Sequence, residues 1–181
     1  MDTLFFEHPD PGYPARTRYN IIHSDYTVAI AVDFNTAGER LTKRTAVDQM
    51  RKPFLQIDLN YLVVDTFMEQ NVQKLVDLMM KDDCPYRILN VAGNGIYSLR
   101  AEQIAFDNIM TKFFTMLLKQ LPEGKLFEVI SGGQTGVDEA AIKGAKANGL
   151  FTRVNAPNGW MFRNKHSRDI KNEQLFKQRF L

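Results

Sequence analysis

Residues 126–141, LFEVISGGQTGVDEAA, constrain this chain most: a short apolar strand runs straight into a glycine-rich turn, and the turn opens a helix. A strand feeding glycines into a helix start leaves backbone N–H groups unpaired and aimed at one point, where the helix dipole favours an anion such as a phosphate or a carboxylate. Gly132, Gly133 and Gly136 permit positive φ and let a ligand approach the backbone closely. A plainer alternative is a tight turn with Thr135 as N-cap and Asp138 as its capping-box partner. Capping accounts for Thr135 and Asp138 but not for three glycines.

The rest of the chain repeats the alternation of strand and helix. After a Pro-rich arm, residues 1–14, a short helix is expected over 16–23. Residues 26–32 (YTVAIAV) form an apolar, β-branched run of strand length, and Thr36-x-x-Glu39 opens a helical stretch over 36–50. Residues 53–59 (PFLQIDL) and 87–91 (RILNV) read as further strands, with a helix between them starting at Thr66-x-x-Glu69. A long helix over 98–121 carries Phe106, Met110, Phe113, Phe114 and Leu117 on one stripe, which is core or interface. Pro122 and Gly124 end it. Small residues Ala140, Ala141 and Gly144 predict close packing of the helix after the glycine turn, 151–154 is a fifth strand, and the tail from 163 is rich in charge without clear period.

This spacing predicts an α/β domain: a doubly wound, largely parallel sheet with helices on both faces. Ligands of such sheets bind beyond the carboxyl ends of the strands, so the glycine-rich exits AGNG (92–95) and SGGQTG (131–136) would line one pocket.

At 181 residues the chain has room for one domain of ordinary size. With 23 basic and 21 acidic residues, its total charge points to neither nucleic acid nor an anionic membrane as partner. The one cysteine, Cys84, excludes an internal disulfide and fits a reducing, cytoplasmic setting. It sits beside Asp82 and Asp83, which disfavour a thiolate. His8, His23 and His166 lack ligand spacing, so no dedicated metal site is expected. The opening residues do not read as a signal peptide, and no stretch has the apolar length of a membrane span.

SGGQTGVDEAA resembles the opening signature of the molybdenum cofactor carrier family, part of a Rossmann-like superfamily of nucleotide-binding proteins that also holds phosphoribohydrolases. In that family the signature lies near the N-terminus; here it begins at Ser131. The first half resembles the remainder of the family: ARTRYNIIHSD at 15–25, LTKRTA at 41–46, KPFLQIDL at 52–59 and RILNVAG at 87–93. The resemblance therefore implies a circular permutant, with 126–181 equivalent to the family's N-terminal part, 15–121 to its C-terminal part, and Met1 and Leu181 on the same side of the molecule.

What the resemblance implies is a carrier or sensor of a phosphate-bearing ligand, the molybdenum cofactor or a nucleotide, in a homo-oligomer. Carried over by position, Gly132, Gly133, Gln134, Thr135, Gly136 and Asp138 form the cradle, while Arg16, Thr17, Asn20, Asp25, Gly93 and Asn94 complete the site. Three departures stand out. Glu139 replaces the family's Arg, Gly38 is followed by Glu39 where the family has Gly-Thr, and PNGWMFRNK at 157–165 lacks the family's Cys-Pro. Two other roles remain open. One is hydrolysis of the N-glycosidic bond of a nucleoside monophosphate, with Asp138 or Glu139 as acid/base, since SGGQTGVDE loosely resembles a PGG-x-GT-x-x-E motif. The other is a degenerate interaction module using the Phe113–Phe114 stripe.

Overall fold

The structure, a computed structural model, describes residues 2–99 and 101–181. Six strands form one sheet: β1 (Thr3–Glu7), β2 (Tyr26–Ala31), β3 (Phe54–Asp58), β4 (Arg87–Gly93), β5 (Leu126–Ser131) and β6 (Phe151–Ala156). Their order is β1-β6-β5-β4-β2-β3, and every pairing is parallel. Every residue of β2 is buried, as expected for a strand covered on both faces. The chain has a Rossmann-like α/β fold.

The helices are α1 (Tyr13–Ile22), α2 (Ala37–Lys43), α3 (Asp65–Met79), α4 (Gln103–Gln120), α5 (Val137–Ala147) and α6 (Glu173–Gln178). The path β1→β2→β3 crosses the sheet in one direction and β3→β4→β5→β6 returns in the other. Right-handed crossovers then require α1 and α2 on one face and α3, α4 and α5 on the opposite face. Packing agrees, with α1 against α2, α3 against α4 and α4 against α5. Gly144 makes the last of these contacts close, since a Cβ there would lie 2.6 Å from the backbone carbon of Met110.

Several sequence expectations are corrected. The N-terminal arm is half strand: β1 is an edge strand paired to β6. Thr66 does not cap α3, which begins at Asp65 behind Val64 without a side-chain cap. The long helix starts at Gln103, after a 3-10 turn over Ile96–Ser98. Of the two readings of the Phe106, Met110, Phe113, Phe114 and Leu117 stripe, core holds: Phe113 and Phe114 are fully inaccessible and offer no surface to a partner. The tail folds into a hairpin, β7 (Met161–Arg163) and β8 (Asp169–Lys171), followed by α6.

Met1 lies outside the described residues. The terminal segments nevertheless meet, because the rings of Phe5 in β1 and Phe180 beyond α6 stand 5.7 Å apart. Among the described residues no helix is long and apolar enough to cross a membrane.

Candidate functional site

Neighbouring strands β2 and β4 send the chain to opposite faces, to α2 and α4 respectively, which opens a crevice beyond their carboxyl ends. Asn94 staples the two exits: its side-chain oxygen accepts from the N–H of Val32 (2.9 Å) and Asp33 (3.0 Å), and its amide donates to the Asp33 carbonyl (3.2 Å). In this crevice lies a cavity of about 390 Å³. Tyr13, Arg16 and Thr17 of α1, Glu39 and Thr42 of α2, and Gly93 and Asn94 at the end of β4 contribute to its wall. Gln134, Asp138 and Arg163 complete the polar part.

The glycine turn works differently from a bare anion cradle. At Gly132 a Cβ would fall 0.9 Å from Nη1 of Arg16, so this glycine is the seat of that guanidinium. Gly133 (φ +69°) packs on Val154 and Phe176, and Gly136 (φ +97°) on the backbone of Asn94 and Ile96. The space that glycine opens at all three positions is filled by protein. Two of the backbone donors at the α5 start are also occupied: Gly136 N–H donates to Gln103 Oε1 (2.7 Å) and Val137 N–H to the Asn94 carbonyl (3.2 Å). Neither half of the expected capping box forms, since Gly136 is the N-cap and Thr135 instead donates to the Arg163 carbonyl.

Asp138 supplies the anion. Its carboxylate, almost inaccessible, accepts from Arg16 Nη1 at 3.0 Å and from the Gln134 N–H at 3.4 Å. Burial pushes this carboxyl up, against the opposing pull of Arg16 and of the Gln134 and Gly93 amides. Arg16 is left with one edge of its fork free. Only Nη1 is engaged by protein, and Nε is buried without a partner. The adjacent Nε and Nη2 donors are the geometry that grips a phosphate or carboxylate with two parallel hydrogen bonds.

Glu39 is the second unsatisfied group. Thr36 Oγ1 accepts from the Glu39 N–H (3.3 Å), but the side chain makes no return bond and lines the cavity instead. Its Oε2 is buried without a partner, and no cation pairs with it among the described residues. Burial first, then the negative charges of Asp138 and Asp33, push its carboxyl up to about 8.

Of the expected site residues, Arg16, Thr17, Gly93, Asn94, Gln134 and Asp138 converge on the cavity, and Asn20 and Gly132 line a small recess behind it. Asn20 is committed to Asn155 (2.6 Å), Thr17 to the Tyr13 carbonyl (3.0 Å), and Gln134 to Met161 and Arg163 of the hairpin. Gly133, Thr135 and Gly136 support the wall from outside. Asp25 is elsewhere: at the amino end of β2 it pairs with Arg87 and accepts from the Ile88 N–H, at the opposite end of the sheet. Glu139 also leaves the site. Lys143 (2.6 Å) and Arg179 (2.7 Å) neutralise it, and Arg179 in turn donates to the Gly133 carbonyl. The charge reversal at 139 thus anchors the tail.

Sequence reading missed Glu39, Tyr13 and Tyr97. The available signal for Glu39 was the same Thr36-x-x-Glu39 spacing that read as a helix start; Thr36 caps the helix without a return bond from Glu39, whose side chain lines the cavity. Arg163 stacks between the Tyr13 and Tyr97 rings at 5.6 and 5.4 Å and is held by Asp169 (2.7 Å).

The model of the circularly permutated YpsA SLOG family matches residues 4–105, the stretch from β1 into α4 that carries Arg16, Glu39 and Asn94. Among curated proteins nothing matches the chain. With more than half of its length under that family's model and a six-stranded parallel Rossmann-like sheet, the chain belongs to the circularly permutated YpsA SLOG family.

Proposed function

We propose that the protein binds a phosphate-bearing, nucleotide-like small molecule in the cavity between the β2 and β4 exits. Membership in a SLOG family fits nucleotide-like ligands in general. The observation that carries the reading is the free Nε edge of Arg16, a buried guanidinium fixed by Asp138 and seated on Gly132. A phosphate gripped there would share Arg16 with Asp138, while the Tyr13 and Tyr97 side of the cavity receives a planar ring. The molybdenum cofactor, which joins a phosphate to a pterin ring, and a purine nucleotide are the two cargoes this arrangement suits. A carrier would need nothing more.

Native mass spectrometry of the purified protein, followed by identification of whatever is released, tests the reading. A pterin or molybdenum species supports the carrier role and a nucleotide the broader one. Adenosine 5′-monophosphate should also bind, and Arg16→Lys, which keeps the charge but removes the fork, should weaken it about tenfold or more. No released ligand and no binding of the monophosphate would overturn the proposal.

One observation favours a second reading, N-glycosidic hydrolysis. Glu39 is a protonated carboxyl in the cavity, and it takes the acid role that Glu139, bound away by two cations, does not fill. Water would add at the ribose C1′ as the C1′–N bond breaks, the departing base would take the Glu39 proton, and the proton lost by the water would restore the Glu39 carboxyl. Release of free adenine and ribose 5-phosphate from the monophosphate, abolished in Glu39→Gln, would establish it; an unaltered nucleotide would leave binding alone.

A further inference from the structure

Glu39 is out of place by ordinary rules. A buried carboxylate is normally paired or richly hydrogen-bonded, because leaving water uncompensated is costly. This side chain is buried, faces the cavity, and has no hydrogen-bond or ion-pair partner among the described residues. Position alone would favour the charged form, since Glu39 lies in the first turn of α2. Its surroundings oppose that. The negative charges of Asp138 in α5 and of Asp33, two residues beyond β2, act on it. Arg16 of α1 is the cation of the wall, but it is committed to Asp138, and Arg163 is committed to Asp169. Tyr13 adds no charge, its hydroxyl donating to Asp169 with its ionisation pushed up by burial. Arg40, the next residue on α2, turns its guanidinium to the Asn35 carbonyl.

We propose that Glu39 recognises the ligand as a neutral carboxylic acid, donating its proton in a hydrogen bond to an acceptor atom on the edge of a heterocyclic ring. This rests on the assignment of the cavity as the ligand site. It names the chemistry of that ligand further: the ring must present a nitrogen or carbonyl acceptor to α2. The raised ionisation of Glu39 supports the assignment, because the group keeps its proton at neutral pH without help from a partner. Binding must then be linked to protons. Above about pH 8 the free protein loses the Glu39 proton, and a ligand that needs the acid form has to take one up from solution.

Titration calorimetry of the full chain with adenosine 5′-monophosphate at about pH 9, in two buffers of different ionisation enthalpy, reads this directly. The phosphate of the probe is already fully ionised there, so any proton exchanged belongs to the protein. The expected result is net proton uptake approaching one per ligand, with affinity falling about tenfold per pH unit above pH 8. Glu39→Gln, which retains an N–H donor, should still bind but with no uptake and a flat pH profile. Proton release, no exchange, or uptake that persists in Glu39→Gln overturns the assignment of Glu39. If wild type binds the probe without exchange and Arg16→Lys weakens it, the cavity stands and only Glu39 falls; if wild type binds none at any pH, both fall.

Discussion

A carboxyl that waits for a ligand costs the protein stability, and Glu39 lets that cost be measured. Its ordinary value is 4.5 and burial raises it to about 8 in the fold. Below the lower value both states hold the proton. Between the two, only the folded state does, so stability falls as pH rises, by up to about 1.4 kcal/mol per pH unit, and levels off above pH 8. Glu39→Gln removes the titrating group while keeping shape. Its stability in chemical denaturation should match wild type near pH 4 and exceed it near pH 8.5, by a difference on the order of a few kcal/mol. Parallel midpoint curves for the two proteins would show that Glu39 is solvated after all.

At the scale of elements, the β5–α5 turn shows what a pattern conveys and what it withholds. Strand, glycine turn and helix were all legible in SGGQTGVDEAA, as was the parallel alternation that brings AGNG and SGGQTG to one edge of the sheet. The purpose of the glycines was not, because it depends on Arg16, 122 residues away in sequence from the Asp138 it contacts. No local signal shows which distant side chain will occupy the space of a missing Cβ. Capping signals divided similarly: Thr36 caps α2, Thr66 caps nothing, and Thr135 fastens the hairpin instead. Gly132→Ala should therefore displace the Arg16 guanidinium and leave Asp138 buried without its cation. A loss of about 3 kcal/mol or more in chemical denaturation is expected. An unchanged midpoint would mean that Arg16 can settle elsewhere.

For the whole molecule, the order of strands in space matters more than their order along the chain, which is why a permuted sequence still yields this sheet. The hairpin and α6 lay beyond sequence reading because their short elements are fixed by tertiary contacts, such as Arg179 among the rings of Phe162, Phe176 and Phe180. With Phe5 packed on Phe180, a short linker joining the ends and a new opening between Glu123 and Gly124 should give a folded protein. Circular dichroism and a melting midpoint near that of wild type would bear this out; an unfolded chain would show that the 122–125 connection is needed for folding. The cavity carries a consequence of another kind. Arg16 is matched by Asp138, Arg163 by Asp169, and Glu39 is neutral near pH 7, on a chain whose formal net charge is only +2. Such a site projects little field into solution, so an approaching anion is not drawn in from a distance. Capture then proceeds by unaided diffusion and is nearly indifferent to ionic strength, and selectivity resides in how long a ligand stays.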